Sequence, residues 1–107
     1  MKVMDSDRNV HVDVDDTIIN WEPTPLCYEV MINNKLFYAN MKVIDKMERL
    51  KARGYYIIVW SAAGAQWAND VVTACGLTKT VDLCMSKPRF IIDDKPPGEW
   101  LERHGWE

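Results

Sequence analysis

Tyr55-Tyr56-Ile57-Ile58-Val59-Trp60 is an unbroken apolar run, closed abruptly by Ser61 and the small, turn-like Ala62-Ala63-Gly64. A strand with one wet face alternates apolar and polar side chains, and this run does not alternate. Continuous Ile- and Val-rich segments are the pattern of a strand covered on both faces, as in a parallel sheet with helices on either side. The flanking segments supply such helices. Downstream, residues 65–75 put Trp67, Ala68, Val71, Val72 and Cys75 on one helical side before Gly76. Upstream, Asn40 is an N-cap, Val43, Ile44, Met47 and Leu50 follow at helical spacing, and Gly54 supplies the stop. The caps predict a helix of about 12 residues between them.

Further out, residues 9–15 alternate, with Val10, Val12 and Val14 on one face and His11, Asp13 and Asp15 on the other, which predicts a strand. Pro23 and Pro25 break regular structure. Residues 27–38 then read as a short hairpin turning at Asn33-Asn34-Lys35. Two short strands are predicted at 81–85 and 90–92, the second cut off by Asp93-Asp94 and Pro96-Pro97, with a short helix at 99–104 closing the chain. Strands alternating with helices predict one three-layer, Rossmann-like α/β domain over residues 1–107. Its sheet is small and mainly parallel, and the hairpin forms a flap after the first strand.

A chain of 107 residues has room for one core, to which Trp21, Trp60, Trp67, Trp100 and Trp106 are expected to contribute much of the buried area. No apolar run approaches the roughly 20 residues that span a bilayer. Asp5 and Asp7 stand where a signal peptide needs basic and then apolar residues, and read as part of a loose terminus. The expected setting is cytoplasmic, without a membrane partner. A net charge of −3 gives no global attraction to nucleic acid phosphates, and Lys46, Arg49, Lys51 and Arg53 alternate with Asp45 and Glu48 as on a solvated helix face. Cys27, Cys75 and Cys84 are odd in number and lack C-x-x-C spacing, which suits reduced thiols rather than disulfides or a zinc site.

Three apolar strand candidates each end in a polar cluster: Asp13-Val14-Asp15-Asp16-Thr17, then Ser61, then Asp93-Asp94. Parallel strands share one carboxyl edge, where ligands of open α/β sheets bind, so these clusters are expected to converge on one crevice. Lys87, six residues before Asp93, reaches the same place. Five carboxylates beside one lysine repel one another and call for a cation. An all-oxygen set without His or Cys suits Mg²⁺. Each part has a plainer reading by itself: Asp15-Asp16-Thr17 as a cap or turn, Asp93-Asp94 as a turn, His11 as a packed core histidine, and Arg89 and Lys95 as ordinary surface.

Taken in order and in strand context, Asp13-Val14-Asp15-Asp16-Thr17, Ser61, Lys87 and Asp93-Asp94 resemble the four motifs of the haloacid dehalogenase superfamily of phosphotransferases. The resemblance spans residues 10–94 and departs from the common pattern at Asp16, where many members carry Gly. Neither 18–40 nor 62–87 is long enough for a large cap, so the chain is similar to minimal, capless members found in bacteria and their phages.

That resemblance implies a Mg²⁺-dependent phosphatase acting through an aspartyl-phosphate. Asp13 is then the nucleophile and Asp15 the acid and base. Ser61 and Lys87 hold the phosphoryl oxygens. The metal is held by Asp13, the backbone carbonyl of Asp15 and Asp93, with Asp94 acting through water or a hydrogen bond, and Thr17 fixes the loop. The substrate is a phosphorylated small molecule or a polynucleotide end, and a second copy of the chain is a candidate for closing the crevice. Two other classes use similar parts. A phosphoacceptor domain of the response-regulator type places its acidic pair first and its lysine last, whereas Lys87 precedes a second acidic pair here. A catalytically silent binding module has no need of both Asp13 and Asp15.

Overall fold

In the computed structural model, which describes residues 7–106, eight elements follow one another. They are β1 (Asn9–Asp13), β2 (Ile19–Asn20), β3 (Cys27–Ile32), β4 (Lys35–Asn40), α1 (Met41–Ala52), β5 (Tyr56–Ser61), α2 (Ala65–Ala74) and β6 (Leu83–Ser86), and a 3₁₀ turn follows at Pro97–Glu99. The apolar run at the centre of the sequence becomes β5, the middle strand of a three-stranded parallel sheet ordered β1-β5-β6. Ile57, Ile58 and Val59 are all buried although successive side chains point to opposite faces, so both faces of β5 are covered. Both helices pack against β5.

A second, antiparallel sheet is ordered β2-β4-β3 and contains the expected hairpin. Asn33 and Asn34 form its two-residue turn with φ of 51° and 65°. Two successive left-handed residues give the turn whose twist matches paired strands, and asparagine adopts that conformation more readily than most residues. β4 runs directly into α1. The Asn40 side chain accepts hydrogen bonds from the backbone N–H groups of Lys42 and Val43, so the predicted cap and the 12-residue helix are both present. Val14, Ile18, Ile19, Phe37, Ala39, Val43, Met47, Val71, Val72 and Leu77 join Ile57 and Val59 of β5 in one core shared by the two sheets.

Several expectations are corrected. β1 ends at Asp13, not Asp15, because the chain turns at once: the Val14 carbonyl accepts from the N–H groups of Thr17, Ile18 and Ile19. Residues 90–92 form no strand, and Phe90 and Ile92 are 81% and 96% exposed. A further parallel strand needs a crossover of about a dozen residues, and only Lys87, Pro88 and Arg89 separate β6 from Phe90. The helix expected at 99–104 is replaced by the 3₁₀ turn, since Trp100 and Leu101 find no buried face to pack on and a helix that short does not hold itself.

None of the five tryptophans is fully buried. Trp21 and Trp100 are about half exposed, and the aliphatic side chains of the strands and helices fill the core. The basic stretch on α1 is not simply solvated: Lys51 holds both carboxylate oxygens of Asp82 at 2.7 Å, and Lys46 donates to the Gly105 carbonyl at 2.6 Å. Asp82 also accepts the Ile57 N–H, so this pair ties α1 to the start of β5 and the approach to β6. Cys27, Cys75 and Cys84 are free thiols. Among the described residues no helix is long and apolar enough to cross a membrane. Asp5 lies outside the described residues.

Candidate active site

The parallel register brings the carboxyl ends of three strands level. Asp13 is the register partner of Trp60, and Ser61 that of Ser86. Lys87, one residue past β6, donates its backbone N–H to the Ser61 carbonyl at 2.8 Å, which fixes where the following loop departs. From there the Lys87 ammonium lies 3.7 Å from Asp13 Oδ1 and 5.8 Å from the centre of the Trp60 ring, with both charged side chains about 40% exposed. Thus Asp13 and Lys87, separated by tens of residues, meet at a sheet edge open to solvent, and Ser61 ends the strand between theirs with its side chain buried.

Ser61 is buried, and its Oγ accepts the Ala63 N–H at 3.0 Å, which leaves the hydroxyl proton free to be donated. Gly64 begins the following helix with φ of 113°, a conformation that L side chains rarely adopt. Glycine has no side chain to cap that helix, and the Ser86 hydroxyl from the neighbouring strand accepts the Ala65 N–H at 3.1 Å. The loop after β5 is therefore organised by one hydroxyl from each of two strands. His11 lies beneath, its ring centre 4.4 Å from that of Trp60, and burial lowers its pKa. It is a half-buried packing residue, less enclosed than a core histidine.

Asp15 sits on the tight turn that leaves β1. The turn closes with an Asp16 N–H bond to the Ile19 carbonyl at 2.8 Å and a bridge between Asp15 and Ile19. Asp16 has φ of 61°, in the left-handed region that favours Gly and that Asp tolerates better than bulkier residues. The turn therefore tolerates the Asp found here. The Asp15 carboxylate accepts a hydrogen bond from the Trp67 indole N–H at 3.3 Å. Sequence reading placed Trp67 only on the apolar side of a helix. Nothing in its spacing signals a partner 52 residues away.

Asp93 and Asp94 are not gathered with the others. They stand in an exposed segment, where Asp93 accepts the Lys95 N–H at 3.0 Å. That backbone bond, followed by hydrogen bonding from Asp94, holds the Asp93 carboxyl below the usual carboxylate range. Among the described residues no three His, Cys, Asp or Glu side chains lie close enough together to form a metal cluster. Asp13 and Asp15 nevertheless present hard oxygen donors at one strand end. Mg²⁺ binds through as few as one or two carboxylates, completing its shell with water and substrate phosphate, so the donor chemistry fits that ion.

No protein-family model, curated protein or solved structure matches this chain.

Proposed function

We propose that the chain is a Mg²⁺-dependent phosphatase, a minimal haloacid dehalogenase-like domain of Rossmann-like design that cleaves phosphomonoesters through an aspartyl-phosphate. The observation that carries this reading is the meeting of Asp13 with the Lys87 ammonium at 3.7 Å, beside Ser61, on the carboxyl edge of a parallel sheet. A carboxylate nucleophile must meet a phosphate dianion despite like charge. A lysine at this distance attracts both oxygens and phosphate to the same place.

An Asp13 oxygen bonds to phosphorus as the bond to the leaving oxygen breaks in line, and Asp15 gives that oxygen a proton. Asp15 then takes a proton from water, the water oxygen bonds to phosphorus, and the Asp13 carboxylate departs with the bonding electrons. Lys87 and the Ser61 hydroxyl hold the remaining phosphoryl oxygens throughout. Magnesium would be held by Asp13 and the backbone carbonyl of Asp15 and would supply charge neutralisation between nucleophile and phosphate, while Asp93 and Asp94 stand apart from these two donors. The open edge suits a phosphorylated small molecule or a polynucleotide end, and the free cysteines suit the cytoplasm.

A screen of nucleotides, sugar phosphates and 5′- and 3′-phosphorylated oligonucleotides with millimolar Mg²⁺ tests the proposal. Phosphate release from at least one class, lost in Asp13→Asn, is the expected result. Uniform inactivity with Mg²⁺ bound would favour a binding module instead.

A further inference from the structure

The turn carrying Asp15 fixes its backbone but not the direction of its carboxylate. That direction is set from another part of the chain. Trp67, in the first turn of α2, donates its indole N–H to Asp15 Oδ1 at 3.3 Å, and an indole nitrogen can only donate. The indole is itself held from behind: its ring centre lies 5.5 Å from that of Phe37 at an angle of 59°, and Phe37 on β4 is only 2% exposed. A clamped donor therefore meets one oxygen of a carboxylate on a turn, leaving the second oxygen for proton transfer.

We propose that Trp67 is the positioning residue for Asp15, keeping the carboxylate turned for proton exchange with the leaving group and with water. The role rests on the phosphatase reading. Phe37 backs the indole, so the hairpin is mechanically joined to the acid and base through two aromatic rings.

Trp67→Phe removes the N–H and keeps a ring against Phe37. With an alkyl phosphate, whose leaving oxygen needs a proton, kcat should fall about tenfold, the size expected for losing one oriented hydrogen bond to a charged group, with KM unchanged. The first step with nitrophenyl phosphate, which needs no proton, should be unaffected. In an Asp15→Asn background the same substitution should cost nothing further on the alkyl substrate. Equal losses in the first step on both substrates, or a further loss without the Asp15 carboxylate, would overturn the positioning role.

The indole N–H resonances supply a readout that needs no turnover. The signal missing in Trp67→Phe should move in Asp15→Asn while the other tryptophan signals stay in place. If it does not move, the contact is absent and the inference falls whatever the activity. If it moves but the wild type cleaves no phosphomonoester, it is the phosphatase reading that fails, and Trp67 then has no reaction to serve.

Discussion

Asp13 and Asp15 are two residues apart, yet their surroundings differ: an ammonium stands beside one and an indole N–H beside the other. This difference predicts separable defects. Asp13→Asn should abolish phosphate release and any covalent intermediate, since an amide does not attack phosphorus. Asp15→Asn should form the intermediate from nitrophenyl phosphate and then fail to hydrolyse it, so that acid quench in a single turnover traps phosphate on Asp13. Label on Ser61 would refute the mechanism. His11 carries a second prediction. Burial disfavours its charged ring, so the folded chain takes up that proton at a lower pH than the unfolded chain, whose histidine titrates near 6.5. Between those two values the unfolded state binds more protons, and stability falls as pH falls. Melting curves at pH 7 and pH 5 should show a larger drop in Tm for the wild type than for His11→Phe, which keeps a ring against Trp60.

Among the elements, α1 depends on a single side chain for its start. The Asn40 carbonyl oxygen serves two otherwise unpaired N–H groups, and Asn40→Ala should cost about 1 kcal/mol in chemical denaturation with no change in slope. Elements whose signals are local were legible in advance: the Asn40 cap, the Asn33-Asn34 turn, and the uninterrupted run of β5. The nearest-edge members of the candidate site, Asp13, Ser61 and Lys87, were legible for the same reason, because strand ends and parallel order suffice to bring them together. What escaped the sequence depends on distant partners. A two-residue strand such as β2 carries no periodicity, and the Trp67–Asp15 and Lys51–Asp82 bonds join segments that nothing local relates. Residues 90–92 have strand composition, but strand formation also needs a reachable neighbour, and the link from β6 is too short to provide a parallel one.

For the whole molecule, the acidic sheet edge predicts a response to cation. Millimolar Mg²⁺ should raise the Tm of the wild type by about 2 °C, on the order of 0.5 kcal/mol, because the unfolded chain offers no comparable site. Asp13→Asn should show a smaller rise, and an identical rise in calorimetry would move the ion elsewhere. The two ends of the stretch after β6 are held differently from its middle. Lys87 is bonded to Ser61 at one end, and at the other Lys46 grips the Gly105 carbonyl while Trp106 packs on the core. Between them the side chains are exposed and the backbone is largely without regular structure. A protease should therefore find its first cut here. Trypsin should choose Arg89 and Arg103, because prolines shield the bonds after Lys87 and Lys95. After a nick at Arg89, the released end should stay attached through Gly105 and Trp106, eluting with the rest of the molecule under native conditions and separating from it only in denaturant.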